Sequence, residues 1–89
     1  MVTVDPIIER AKELARQNRF EVEGHLLKRM RERGSMTIDD VLAAVCSAKS
    51  KRAGDKPGRW VLMGGKDRDG DMLDVVIKIE DNLIIITVF

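Results

Sequence analysis

The chain has 89 residues, enough for one domain and no second, with 16 basic and 15 acidic side chains leaving a net charge of +1. Hydrophobic residues make up 44% and charged residues 35%, which excludes a disordered or collagen-like chain. No apolar run approaches the roughly 20 residues that span a bilayer, no basic-then-apolar leader opens the sequence, and the single cysteine, Cys46, has no internal disulfide partner; a cytoplasmic protein without a membrane segment is expected.

The first predicted element is a helix over residues 5–18. Asp5 suits the N-cap and Pro6 the first helical position. Ile7, Ile8, Ala11, Leu14 and Ala15 then recur at helical spacing. Phe20-Glu21-Val22 is too short to count as a firm strand. A second helix runs from Gly24 to Arg33, with Leu26, Leu27 and Met30 as a narrow apolar stripe and Gly34 where a left-handed cap belongs. In the third, Thr37 and Asp40 make a capping-box pattern, Met36 and Val41 a hydrophobic staple, and Ile38, Val41, Leu42, Val45 and Ala48 a buried face. From Ala48 to Gly58 the polar composition reads as a loop. Arg59–Met63, Met72–Ile79 and Leu83–Phe89 then read as strands, joined by turns at residues 67–71 and 80–82. The expected fold is α+β: two to three N-terminal helices packed on a three-stranded antiparallel β-meander, in a single domain over residues 1–89.

Charge is unevenly spread. Lys49, Lys51, Arg52, Lys56, Arg59, Lys66 and Arg68 cluster between residues 49 and 68 against only Asp55 and Asp67, whereas residues 69–89 are acidic. Such a stretch suits phosphates; a solvated lysine-rich loop is the plainer alternative. On the second helix, His25, Arg29 and Arg33 stand four apart, at about 0°, 40° and 80° around the axis. A histidine can move a proton near neutral pH, and an arginine one turn away can hold a phosphate bidentately. RNA phosphodiester cleavage needs that pairing: proton transfer at the 2′-hydroxyl and a cation for the charge gathering on the phosphorane. The competing reading packs the imidazole at the core edge and pairs the arginines with Glu32 or Glu21.

Other motifs carry less. Asp67, Asp69 and Asp71 lack the EF-hand spacing and read as a hairpin turn; no metal or cofactor is expected. Gly64-Gly65-Lys66 reads as a strand end. Cys46 reads as an apolar filler and Trp60 as a core anchor with a second option of stacking on a base. Thr87 can donate a hydroxyl to a phosphate, or serve as an ordinary strand residue.

The run His25-Leu-Leu-Lys-Arg29-Met30-Arg-Glu-Arg33-Gly34, followed by Thr37-Ile-Asp-Asp40-Val41, resembles the signature of a bacterial family, domain of unknown function 4258. Arg59-Trp60-Val61, Gly65-Lys-Asp67-Arg-Asp-Gly70, Leu73-Asp-Val-Val76 and Ile85-Ile86-Thr87-Val88-Phe89 extend the likeness over about residues 20–89. The resemblance implies a fold similar to the small ribonuclease toxins RelE, MqsR and BrnT, and a partner resembling a zinc-finger or helix-turn-helix antitoxin. It singles out His25, Arg29 and Thr87 as catalytic, with Arg33 beside them. Two departures stand out: Ser35 or Met36 is an extra residue before Thr37, and Phe89 stands where the family often has tyrosine. The helix over residues 5–18 lies outside the likeness and is a candidate dimer or partner surface.

The functional expectation is a metal-independent endoribonuclease toxin acting on RNA, mRNA included, with an antitoxin protein and a homodimer as candidate partners. His25 acts as acid or base, Arg29 as phosphate clamp and Thr87 at the scissile phosphate, while Arg33, Lys49, Lys51, Arg52, Arg59 and Lys66 bind the RNA. The alternative is a non-catalytic module of the same fold that binds protein or nucleic acid.

Overall fold

A computed structural model describes residues 5–34 and 36–89. The helices lie where the sequence put them. α1 spans Pro6–Arg16, and its Asp5 cap accepts hydrogen bonds from the amides of Ile7 and Ile8. α2 spans Gly24–Arg33 and closes on Gly34, whose φ of 76° is open to glycine without strain. α3 spans Ile38–Ser47 behind the expected Thr37–Asp40 capping box, in which each residue's side chain accepts from the other's amide. The Thr37 amide is the main reason that the Asp40 carboxyl lies below the usual carboxylate range; the Arg68 amide and the Thr37 hydroxyl add to the effect, and partial desolvation opposes it.

The sheet differs from the expected three-stranded meander: among the described residues it is open and has five strands, making a mixed α+β fold with three helices. Its strands are β1 (Phe20–Val22), β2 (Ser50–Ala53), β3 (Arg59–Met63), β4 (Val75–Ile79) and β5 (Leu83–Val88), in the order β1-β5-β4-β3-β2. β3, β4 and β5 form the predicted antiparallel core. The two additions lie at the edges. β1 pairs in parallel with Leu83–Ile85, and three residues are too few to display a period of two. β2 pairs antiparallel to β3 with the sequence Ser-Lys-Arg-Ala. Charged residues typify edge strands, where they discourage pairing with other chains, and here they disguised the strand as a loop.

The two faces of the sheet differ. Leu62, Val75, Ile77, Leu83, Ile85 and Val88 point toward the helices and join Ile8, Ala11, Leu14, Leu26, Val41 and Val45 in the main core. The opposite face carries a smaller cluster of Val61, Val76 and Ile86, flanked by Met63 and Ile84. α1 buries Ile8, Ala11, Leu14 and Ala15 in the main core. Cys46 and Trp60 pack against the main core as expected, whereas Leu27, placed in the apolar stripe of α2, is 45% exposed. Among the described residues no helix is long and apolar enough to cross a membrane.

Candidate active site

α2 lies alongside β5. Leu26 anchors it in the core with no exposure, and the Glu23 amide donates to the Ile85 carbonyl at 3.0 Å. β1 pairs with β5 only as far as Ile85. Beyond that point the Val88 carbonyl accepts instead from Arg29 Nη1, also at 3.0 Å. The bond fixes the guanidinium at the end of β5 and leaves its other N–H groups to be used elsewhere.

A depression of about 370 Å³ opens between α2 and the sheet, lined by His25, Lys28, Arg29, Glu32, Arg59, Ile86 and Thr87. The four helical residues follow the spacing i, i+3, i+4, i+7, which puts them on one face. Arg59 comes from β3, Ile86 and Thr87 from β5. A β-bulge explains why two consecutive strand residues reach the same space. Thr87 pairs with Val76 and Ile85 with Ile77, so Ile86 is the inserted residue and the usual alternation is broken.

His25 and Arg29 thus share one depression with Arg59 and Thr87, which are distant from them in sequence. His25 is exposed, which does not match an imidazole packed at the core edge. Among the described residues no ion pair joins Arg29 to Glu32 or Glu21. Three cations (Lys28, Arg29 and Arg59) and one carboxylate (Glu32) give the depression a positive balance suited to phosphate.

The other expected RNA-binding residues are dispersed. Arg52 lies on β2 opposite Val61 and is exposed. Lys51, one residue earlier, pairs with Leu62 of the helix-facing side. Its Nζ lies 3.0 Å from Asp5 Oδ2 and 4.5 Å from the Trp60 ring centre. Lys49 sits across from Gly64, its amide donating to the Met63 carbonyl. Lys66 lies at the C-terminal end of α3, where its amide donates to Ser47 Oγ at 2.9 Å. Arg33 ends α2, while its side chain, like Ser35, lies outside the described residues. Phe89, at the position noted for tyrosine, pairs through its backbone with Asp74, is half exposed, and is not among the residues that line the depression.

Lys28 and Glu32 were missed as site residues. The signal was present in the same helical spacing that carried His25 and Arg29, but a row taken only in steps of four leads to Arg33 and passes over them. A second depression, of about 380 Å³, is lined by Asp40, Asp67, Asp69, Asp71 and the apolar Met36, Met72 and Leu73. Asp67 Oδ1 there accepts from the amides of Asp69 and Asp71, consistent with the turn expected for that segment. Among the described residues no group of three or more His, Cys, Asp or Glu side chains is placed to hold a metal ion.

In comparisons with known proteins, the pattern of a family described as a domain of unknown function (DUF4258) matches residues 22–89, a span that holds every residue of the depression between α2 and the sheet. No curated protein and no solved structure matches the chain.

Proposed function

The chain belongs to the DUF4258 family, and we propose that its site cleaves RNA, as a metal-independent endoribonuclease that acts as a toxin and is held in check by an antitoxin protein. The single observation that supports this is the gathering of His25, Arg29, Arg59 and Thr87 from one helix and two strands around one depression. RNA carries its own nucleophile, the 2′-hydroxyl, so a protein need only move protons and stabilise charge. Imidazole is the side chain best suited to proton transfer near neutral pH. Arg29, fixed by the Val88 carbonyl, presents its remaining donors to the phosphate, and Arg59 adds a second cation. The Thr87 hydroxyl donates to a non-bridging oxygen.

The test is cleavage of a labelled single-stranded RNA in the presence of a chelator, comparing wild type with His25→Ala and Arg29→Ala. His25→Ala is expected to lose roughly 10²–10⁴-fold in rate. Because His25 is exposed, its thermal midpoint should stay near that of the wild type. Cleavage that survives in His25→Ala would remove the proposed proton carrier. No cleavage by the wild type, together with a fall in the stability of His25→Ala, would favour the non-catalytic module. Induced expression in a bacterial host adds the cellular arm, in which growth arrest by the wild type alone is expected.

A further inference from the structure

Resting on that reading, we infer that Glu32 is the second proton-transfer residue of the site: its carboxylate takes the proton from the 2′-hydroxyl, and His25 serves as the acid. Transesterification of RNA needs two such groups, one at the attacking oxygen and one at the leaving oxygen, on opposite sides of phosphorus. Each must come within about 2.6–3.2 Å of its oxygen. Among the described residues, the lining of the depression holds one imidazole and one carboxylate; its other ionisable groups are the cations Lys28, Arg29 and Arg59, and β5 contributes Ile86 and Thr87.

The spacing suits the task. His25 and Glu32 are seven residues apart on α2, which places them within about 20° of the same direction and about 10.5 Å apart along the axis. Lys28 and Arg29 lie between them. A phosphate held at that central pair has Glu32 toward one end of the row and His25 toward the other, which is the arrangement in-line displacement requires. Glu32 also needs a reason to be there, since a carboxylate repels the phosphate that three neighbouring cations attract.

The step balances without a co-reactant. The 2′-oxygen gives its proton to the Glu32 carboxylate and forms a bond to phosphorus. The bond from phosphorus to the 5′-oxygen breaks, and that oxygen takes a proton from the His25 imidazolium. The products are a 2′,3′-cyclic phosphate and a free 5′-hydroxyl, and proton exchange with water restores both side chains.

The experiment uses the full chain and measures single-turnover cleavage of a short single-stranded RNA from acid to alkaline pH. Binding is followed separately with the same sequence carrying 2′-deoxy sugars, which cannot react. The wild type should give a bell-shaped profile, rising as a carboxylate ionises and falling as an imidazolium loses its proton. Glu32→Gln should lose roughly 10²–10⁴-fold in rate together with the rising limb, while binding the deoxy analogue as tightly or more tightly. Glu32→Asp should recover part of the rate and the limb. Glu32→Gln cleaving with the wild-type profile, or losing rate only in proportion to weakened binding, overturns the assignment and leaves the ribonuclease reading standing. Absence of a cyclic phosphate product from the wild type overturns that reading and this inference with it.

Discussion

Two basic side chains show how completely position decides what a charge can do. Arg29 is exposed, yet one of its N–H groups is committed to the Val88 carbonyl, which aims the rest of the guanidinium at the depression. Lys51 belongs to the most basic stretch of the chain, but the register of β2 directs it to the helix side, against Asp5 and the Trp60 face. The Lys51 ammonium is the main reason that the Asp5 carboxyl lies below its ordinary value of 3.8; the Ile8 and Ile7 amides add to the effect and partial desolvation opposes it. A carboxyl lowered in the folded state contributes stability that is present above the unfolded value and lost as pH falls through the folded one. Asp5→Asn isolates that contribution, because asparagine caps a helix about as well as aspartate. Thermal melts should therefore place Asp5→Asn below the wild type at neutral pH, and the gap should close below pH 3.8. A gap that persists in acid would mean that the amide disturbs the cap itself and that the ion pair contributes nothing.

Contacts between elements depend on features that a periodic pattern does not display. Gly65 follows β3 and lies directly against α3: a Cβ there would stand 2.1 Å from the Ala44 carbonyl oxygen and 2.9 Å from its carbon. Backbone atoms in mid-helix have no rotamer to change, so α3 and the end of the sheet would have to separate. Gly65→Ala should cost at least the ~1–3 kcal/mol usual for overpacking, a fall of about 4–24 °C or more in the thermal midpoint of a domain this size. Gly24→Ala, where nothing lies within 4 Å, is the control and should melt close to the wild type. Equal midpoints for the two variants would show that the helix and sheet are not in close contact at this point. Sequence reading took Gly64-Gly65-Lys66 correctly as the end of a strand, yet nothing local announced that a helix passes so near. The same limit applied to the sheet: β3, β4 and β5 carry enough Val, Ile and Leu to be recognised, whereas β1 and β2 owe their structure to the hydrogen-bonding edges they join.

At the scale of the molecule, the candidate site was legible in proportion to how local its geometry is. His25 and Arg29 share one helix, so spacing alone relates them; Lys28 and Glu32 were equally accessible by that rule. Thr87 joins them only because a bulge breaks the alternation of β5, and Arg59 only because β3 lies two strands away in an order that long-range pairing determines. Long-range packing also bears on α1, which precedes the family match at residues 22–89 but supplies four buried residues to the one main core. Fully burying a side chain such as Ile8 or Leu14 contributes about 1.5–3 kcal/mol, against total stabilities of about 5–15 kcal/mol for single domains. Without α1, the faces of α3 and β5 that it covers would be open to water. Deletion of residues 1–18 should therefore abolish cooperative thermal unfolding and collapse the amide dispersion in NMR spectra. Binding at the depression should be lost with the fold, since β5 supplies part of its lining and holds Arg29. A shortened chain that still melts cooperatively within a few degrees of the full one would show α1 to be an appendage and the family-matched span to fold by itself.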